Sequence, residues 1–178
     1  MTSADSKNFR AAPLQLREAR HPDVLWASFF CVGFLRPAPG TWGSAAAALV
    51  WFGLLAGLPA LWQAGLCVIY FVVSWWCSHC VCQRYGVHDA SEIVADEVIG
   101  MWLALWLIQL QFELNWITLV AAFLLFRVLD VAKPGPVGWL DRQVDGGLGV
   151  MLDDVLAGLL TGIVVSVTLQ FLPAFGLT

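Results

Sequence analysis

Between residues 37 and 83 the chain has no aspartate, glutamate, lysine or arginine; Glu113 is the only one from 98 to 126, and none follows Asp154. A soluble domain covers itself with roughly 25% charged residues. Here only 12% are charged and 60% are hydrophobic, with a mean hydropathy of +0.77, so a surface facing water on all sides is excluded. The charge-free stretches become candidate membrane spans. A disulfide framework is missing too: Cys31, Cys67, Cys77, Cys80 and Cys82 are odd in number and mostly lie in apolar runs. The run from Cys77 through His79 to Cys82 lacks a second ligand pair at zinc-finger spacing and reads as packing. Residues 1–22 carry charges throughout and no apolar core of roughly 7–15 residues, so they read as a flexible cytoplasmic tail rather than a secretory signal. A single membrane-embedded domain is expected over 23–178.

Leu58-Pro59 splits the first apolar stretch into helices of about 44–57 and 60–83. A second hairpin runs from about 93–110 to 114–131, turning at Gln111-Phe112-Glu113, and 155–172 makes a fifth span. The expected architecture is all-α, a polytopic membrane bundle of about five apolar helices. At 1.5 Å per residue the first would cover only about 21 Å of a hydrocarbon core roughly 30 Å thick, so it is tilted, re-entrant or longer than drawn. Lys7, Arg10, Arg17, Arg20, Arg36, Arg84, Arg127, Lys133 and Arg142 all fall on one side of this arrangement. By the positive-inside rule that side is cytoplasmic. The segments 37–44, 89–97 and 127–154 must then return to the same face.

Most of the carboxylates return with them. Asp96 and Glu97 lie just inside the third span; Asp130 ends the fourth, with Arg127 and Lys133 three residues to either side; Asp153 and Asp154 open the fifth. Singly, an acid at a helix N-terminus is what the macrodipole favours. As a set at the bilayer boundary they repel one another, and a divalent cation relieves both the repulsion and the cost of burial. Mg²⁺ prefers such oxygen ligands and is usually shared between one or two carboxylates and substrate phosphate.

Two glycine-rich loops add phosphate-binding character. In the first, Gly40, Thr41, Gly43 and Ser44 let backbone amides approach an anion, and Ser44 is placed to cap the next helix. The second contains Lys133-Pro134-Gly135-Pro136, Asp141-Arg142 and Gly146-Gly147-Leu148-Gly149. Pro134 ends the fourth helix and leaves Lys133 at the mouth of the site, while Arg142 offers a fork suited to phosphate oxygens. Both also suit anchoring to anionic headgroups. His88 reads either as an acid or base or as a hydrogen-bonding loop residue.

Three blocks, APGTWGS at 38–44, HDASEIVADEVIGMW at 88–102 and FRVLDVAKPGPVGWLDRQVDGGLGVMLDDVLAG at 126–158, make the chain resemble the phosphatidylglycerophosphatase A family of bacterial lipid phosphatases over roughly 33–172. The resemblance implies Mg²⁺-dependent hydrolysis of phosphatidylglycerophosphate to phosphatidylglycerol and inorganic phosphate, at the cytoplasmic face of the inner membrane. It implies Asp96, Glu97, Asp130, Asp153 and Asp154 as the acidic positions and Lys133 and Arg142 as the basic ones. Its partners would be the phospholipid and the membrane, with no nucleic acid; oligomeric state stays open. Arg36 and Ala95 depart from the pattern, which often has a proline and a bulkier residue there.

Two rivals are weighed. A CDP-alcohol phosphotransferase needs Asp-x-x-Asp-Gly-x-x-Ala-Arg, whereas Asp141 and Asp145 are four apart with no Ala-Arg following. A cation-coordinating transporter would favour charges near mid-bilayer rather than at the ends of spans.

Overall fold

The structure, a computed structural model, describes residues 14–86, 90–132 and 147–171, the last segment with side chains from 151. Among them there is no strand. A 3₁₀ turn at Leu16–Arg20 leads into α1 (Pro22–Ala27), and another at Val32–Phe34 precedes α2 (Pro39–Val50). α3 (Ala60–Tyr85), α4 (Ala95–Gln109), α5 (Trp116–Ala132) and α6 (Gly147–Phe171) follow.

Among the described residues, two helices are long and apolar enough to cross a membrane, α3 and the 151–171 part of α6. Only 28% of the most apolar window of α3 is buried. A soluble protein's core helix would be covered, whereas Leu61, Trp62, Ile69, Val72 and Trp76 stay exposed. Ile117, Val120, Leu124, Val128 and Val131 do the same for α5. α4 and α5, at 15 and 17 residues, are shorter than the expected 93–110 and 114–131. The first span, by contrast, starts five residues before Ser44. Pro39 sits at its first turn, and the helix continues beyond Val50 as a π-helical turn over Trp51–Leu55. Seventeen helical residues cover about 25 Å.

That π turn carries a buried tryptophan. It seats Trp51, which is fully buried, with its indole N–H donating to Gln109 Oε1 at 2.5 Å. Gln109 Nε2 in turn donates to the Ala56 carbonyl at 3.1 Å, and Gln63 Nε2 to that of Leu55 at 3.0 Å. The Leu55 and Ala56 carbonyls at the first hairpin turn thus find side-chain donors inside the protein.

α4 is the central helix, with ten buried residues among its fifteen. Glycines bring it against α6: a Cβ on Gly158 would lie 2.1 Å from the Gly100 carbonyl oxygen, and one on Gly100 would lie 2.5 Å from that of Asp154. Gly162 is similarly tight against Leu107. Small residues at helix contacts are how membrane helices gain packing energy without a hydrophobic drive between them. Of residues 14–22, expected within the flexible tail, Leu14 is buried and Glu18 and Ala19 are half-buried, while the others are exposed. Leu14, Val24 and Ala27 share a buried cluster with Val81 and Ala90, and Asp23 pairs with Arg84 at 2.7 Å.

Gly158→Ala places a methyl group against backbone that no rotamer change can relieve. It is expected to destabilise the protein by about 1–3 kcal/mol and to lower the thermal midpoint of the detergent-solubilised protein. An unchanged midpoint would show that α4 and α6 do not touch there.

Candidate active site

The N-termini of α2 and α4, the second turn of α6 and the C-terminal turns of α5 meet at one end of the bundle. They enclose a cavity of about 310 Å³ lined by Ala38, Pro39 and Gly40, by Ser91 and Ile93, and by the side chains discussed below. The three expected segments do return to one face, over their described parts. Asp96 and Glu97 stand in the first turn of α4. Asp153 and Asp154 sit about two turns into α6, because that helix begins at Gly147 rather than near 155. Asp130 and Arg127 come from the last turns of α5.

Among the described residues, five carboxyl groups and one guanidinium line the cavity. Asp96, Asp153 and Asp154 are buried, and Glu97 Oε2 is buried with no hydrogen-bond partner. One oxygen each from Asp96, Glu97 and Asp154 can lie within 4.8 Å of the others. Each adjacent pair also shapes its own turn: the Glu97 amide donates to Asp96 Oδ1 at 3.1 Å and the Asp154 amide to Asp153 Oδ1 at 3.0 Å. Three hard oxygen donors crowded together, one of them lacking a donor, are the set a divalent cation takes. The residues present therefore fit such an ion, with Asp130 and Asp153 beside them.

The α2 wall is a close approach of backbone to this cluster. A Cβ on Gly40 would lie 2.1 Å from Glu97 Oε1 and 3.3 Å from Arg127 Nη1, so only glycine leaves the carboxylate its place. The first amides of α2 have no intrahelical acceptor, and the helix dipole adds positive potential. Of the expected loop residues, Gly40 lines the cavity, whereas Thr41, Gly43 and Ser44 are not among its lining residues. Gly43 packs on Val94, where a Cβ would lie 2.8 Å from the valine Cβ. Ser44, expected as a cap, lies within the helix instead: its hydroxyl donates to the Gly40 carbonyl at 2.7 Å and accepts from Arg127 Nη1 at 3.4 Å.

Arg127 was legible only as a neighbour of Asp130 and is the described cation of the cavity. Its Nη1 lies 2.5 Å from Asp130 Oδ2, an i,i+3 pair mostly buried on both sides. Glu92 was missed altogether. It is buried beside the cavity, pairs with Arg36, and accepts from the Leu14 amide at 3.3 Å. Arg36 also reaches Ser91 of the cavity wall at 3.4 Å. The signal for Glu92 was an acid four residues ahead of Asp96, with no apolar period to mark it as buried. Lys133, Arg142 and His88 lie outside the described residues.

A family model described as phosphatidylglycerophosphatase A matches residues 25–169. The chain belongs to the phosphatidylglycerophosphatase A family. A phosphatidylglycerophosphatase A of Escherichia coli K12 is 38% identical over 148 residues, covering 79% of this chain and 80% of that protein. One from Haemophilus influenzae is 36% identical over 157 residues, covering 86% and 92%. A Bacteroides thetaiotaomicron relative provisionally named a phosphatidylinositol-3-phosphatase is 36% identical over 148 residues, covering 81% and 91%. No solved structure gives a significant match. The matched span takes in every lining residue of the cavity from Ala38 to Asp154.

Gly40→Ala separates site geometry from stability within this family member. Its methyl group meets the movable end of Glu97, so the thermal midpoint is expected to hold while Mn²⁺ affinity, read by calorimetry, falls about tenfold. Unaltered Mn²⁺ binding would remove Glu97 from the cation site.

Proposed function

We propose that the chain hydrolyses the terminal phosphomonoester of phosphatidylglycerophosphate, giving phosphatidylglycerol and inorganic phosphate, with Mg²⁺ as cofactor. The observation that carries this reading is the meeting of Asp96, Glu97 and Asp154 beneath the N-terminus of α2, in a member of a lipid phosphatase family.

Asp96, Glu97 and Asp154 would hold the cation, with Asp153 and Asp130 completing its surroundings. When bound, Mg²⁺ offsets charge on the phosphoryl oxygens and lowers the pKa of a coordinated water. A phosphomonoester resists attack because it is itself anionic, so the chain's own contribution is to position it and balance its charge. Arg127 suits this, since Asp130 and Ser44 fix one nitrogen of a group carrying five N–H donors. The free amides at the start of α2, beside Arg127, add anion-binding capacity. Lys133 and Arg142, at the sequence's second glycine-rich loop, are proposed as further phosphate contacts, and Thr41, Gly43 and Ser44 as residues that shape the first.

The same reading has α2, α4 and α5 crossing the bilayer with α3 and α6, as a five-span enzyme of the bacterial inner membrane facing the cytoplasm. Support comes from the exposed apolar faces and from the clustering of Arg36, Arg84 and Arg127 at the cavity end. Residues 1–22 form a cytoplasmic N-terminal segment ahead of the membrane domain in this proposal.

Purified protein in detergent is expected to release phosphate from phosphatidylglycerophosphate with Mg²⁺ and to stop when it is chelated. Asp96→Asn is expected to lower kcat by about 100-fold or more, in the range of lost transition-state electrostatics. Full activity in that variant would refute the cation assignment.

A further inference from the structure

On α4, Ile99, Leu103 and Trp106 follow Asp96 at intervals of three, four and three residues, which places all four on one face of the helix. The three apolar members line a groove of about 260 Å³, walled by Ala64 and Val68 of α3 and by Val155 of α6. Val68 is 63% exposed, so the groove opens sideways to what surrounds the bundle. Ile99 lies one turn, about 4.5 Å, below Asp96, and Trp106 about 15 Å below it. The groove therefore runs most of the length of α4, which ends three residues later at Gln109. Trp106 closes the lower end by donating its indole N–H to the Ala60 carbonyl at 3.2 Å.

We infer that this groove between α3, α4 and α6 binds one acyl chain of the lipid substrate. The inference rests on the proposed phosphatase reading, which sets a lipid phosphate at the level of Asp96. A chain hanging from that headgroup descends along the bundle, and this groove starts one turn under the acid and runs toward the far end of α4. A second apolar cleft, about 190 Å³ between α2 and α5 near Leu49 and Phe123, is smaller. The chain gains little by leaving lipid for an apolar groove, so its contribution is orientation: it fixes how the phosphate meets the carboxylates.

Phosphate release with Mg²⁺ is compared across dioleoyl, dihexanoyl and fully deacylated forms of the substrate. Ala64→Phe fills the groove, and Val68→Trp obstructs its mouth at an exposed position where misfolding is less of a concern. Both are expected to lower kcat/KM for the dioleoyl lipid about tenfold while leaving the deacylated form within twofold. Equal losses on all three substrates, or none, would overturn the inference, as would a loss confined to Leu49→Trp in the other cleft. A phospholipid with a diazirine in its acyl chain reads the groove without catalysis. Crosslinks are expected at Val68 and Leu103 in the wild type and should vanish in Ala64→Phe, whereas labelling elsewhere would refute the groove. Failure of the wild type to release phosphate from any of the three would instead refute the phosphatase reading.

Discussion

Two helices that start at the same end of the bundle are held in backbone contact by Gly100 and Gly158, and each of those glycines lies one turn after an acid, Asp96 and Asp154. The contact therefore sets how close those acids stand. Like charges drawn together and buried are unfavourable on their own, so packing elsewhere in α4 and α6 must offset them. Such strain persists where the surrounding structure over-determines it, and it would pre-organise the proposed cation site. The rest of the site follows from that anchor: Gly40 lets α2 close over Glu97, and Arg127 balances the side of the cavity nearest Asp130.

The location of the cluster matters as much as its charge. The N-termini of α2 and α4 supply positive potential where a phosphate would arrive, while α3 and α5 expose apolar side chains along their length. A lipid phosphatase needs this junction, because its substrate has an anionic head at the interface and its chains below it. A transporter would hold its carboxylates farther down, near mid-bilayer; below Asp154 the described part of α6 carries no charged residue at all.

Much of this was readable from residue order. Gaps in charge marked the apolar helices, and the return of three polar segments to one face followed from counting spans. The convergence of Asp96, Glu97, Asp130, Asp153 and Asp154 came with it. Boundaries were less legible. Ser44 looked like a cap because it is a serine ahead of an apolar run, yet Pro39 starts the helix earlier and the serine turns back onto its own backbone. Asp153 and Asp154 looked like the start of α6, whereas the glycine-rich sequence from Gly147 is already helical. Long-range pairs such as Arg36 with Glu92, and the docking of Leu14, leave no periodic trace in sequence. Of the departures at Arg36 and Ala95, the first ties the loop before α2 to the cavity wall, and the second is fully buried.

If crowded carboxylates are the organising feature, a divalent cation must stabilise the folded protein by binding it and not the unfolded chain. Thermal unfolding of the wild type in detergent, with saturating Mg²⁺ against a chelator, measures this directly. At a hundredfold excess over the dissociation constant the gain is about 2.7 kcal/mol, so a rise of about 5 °C or more in the midpoint is expected. Identical midpoints in the two conditions would contradict the account.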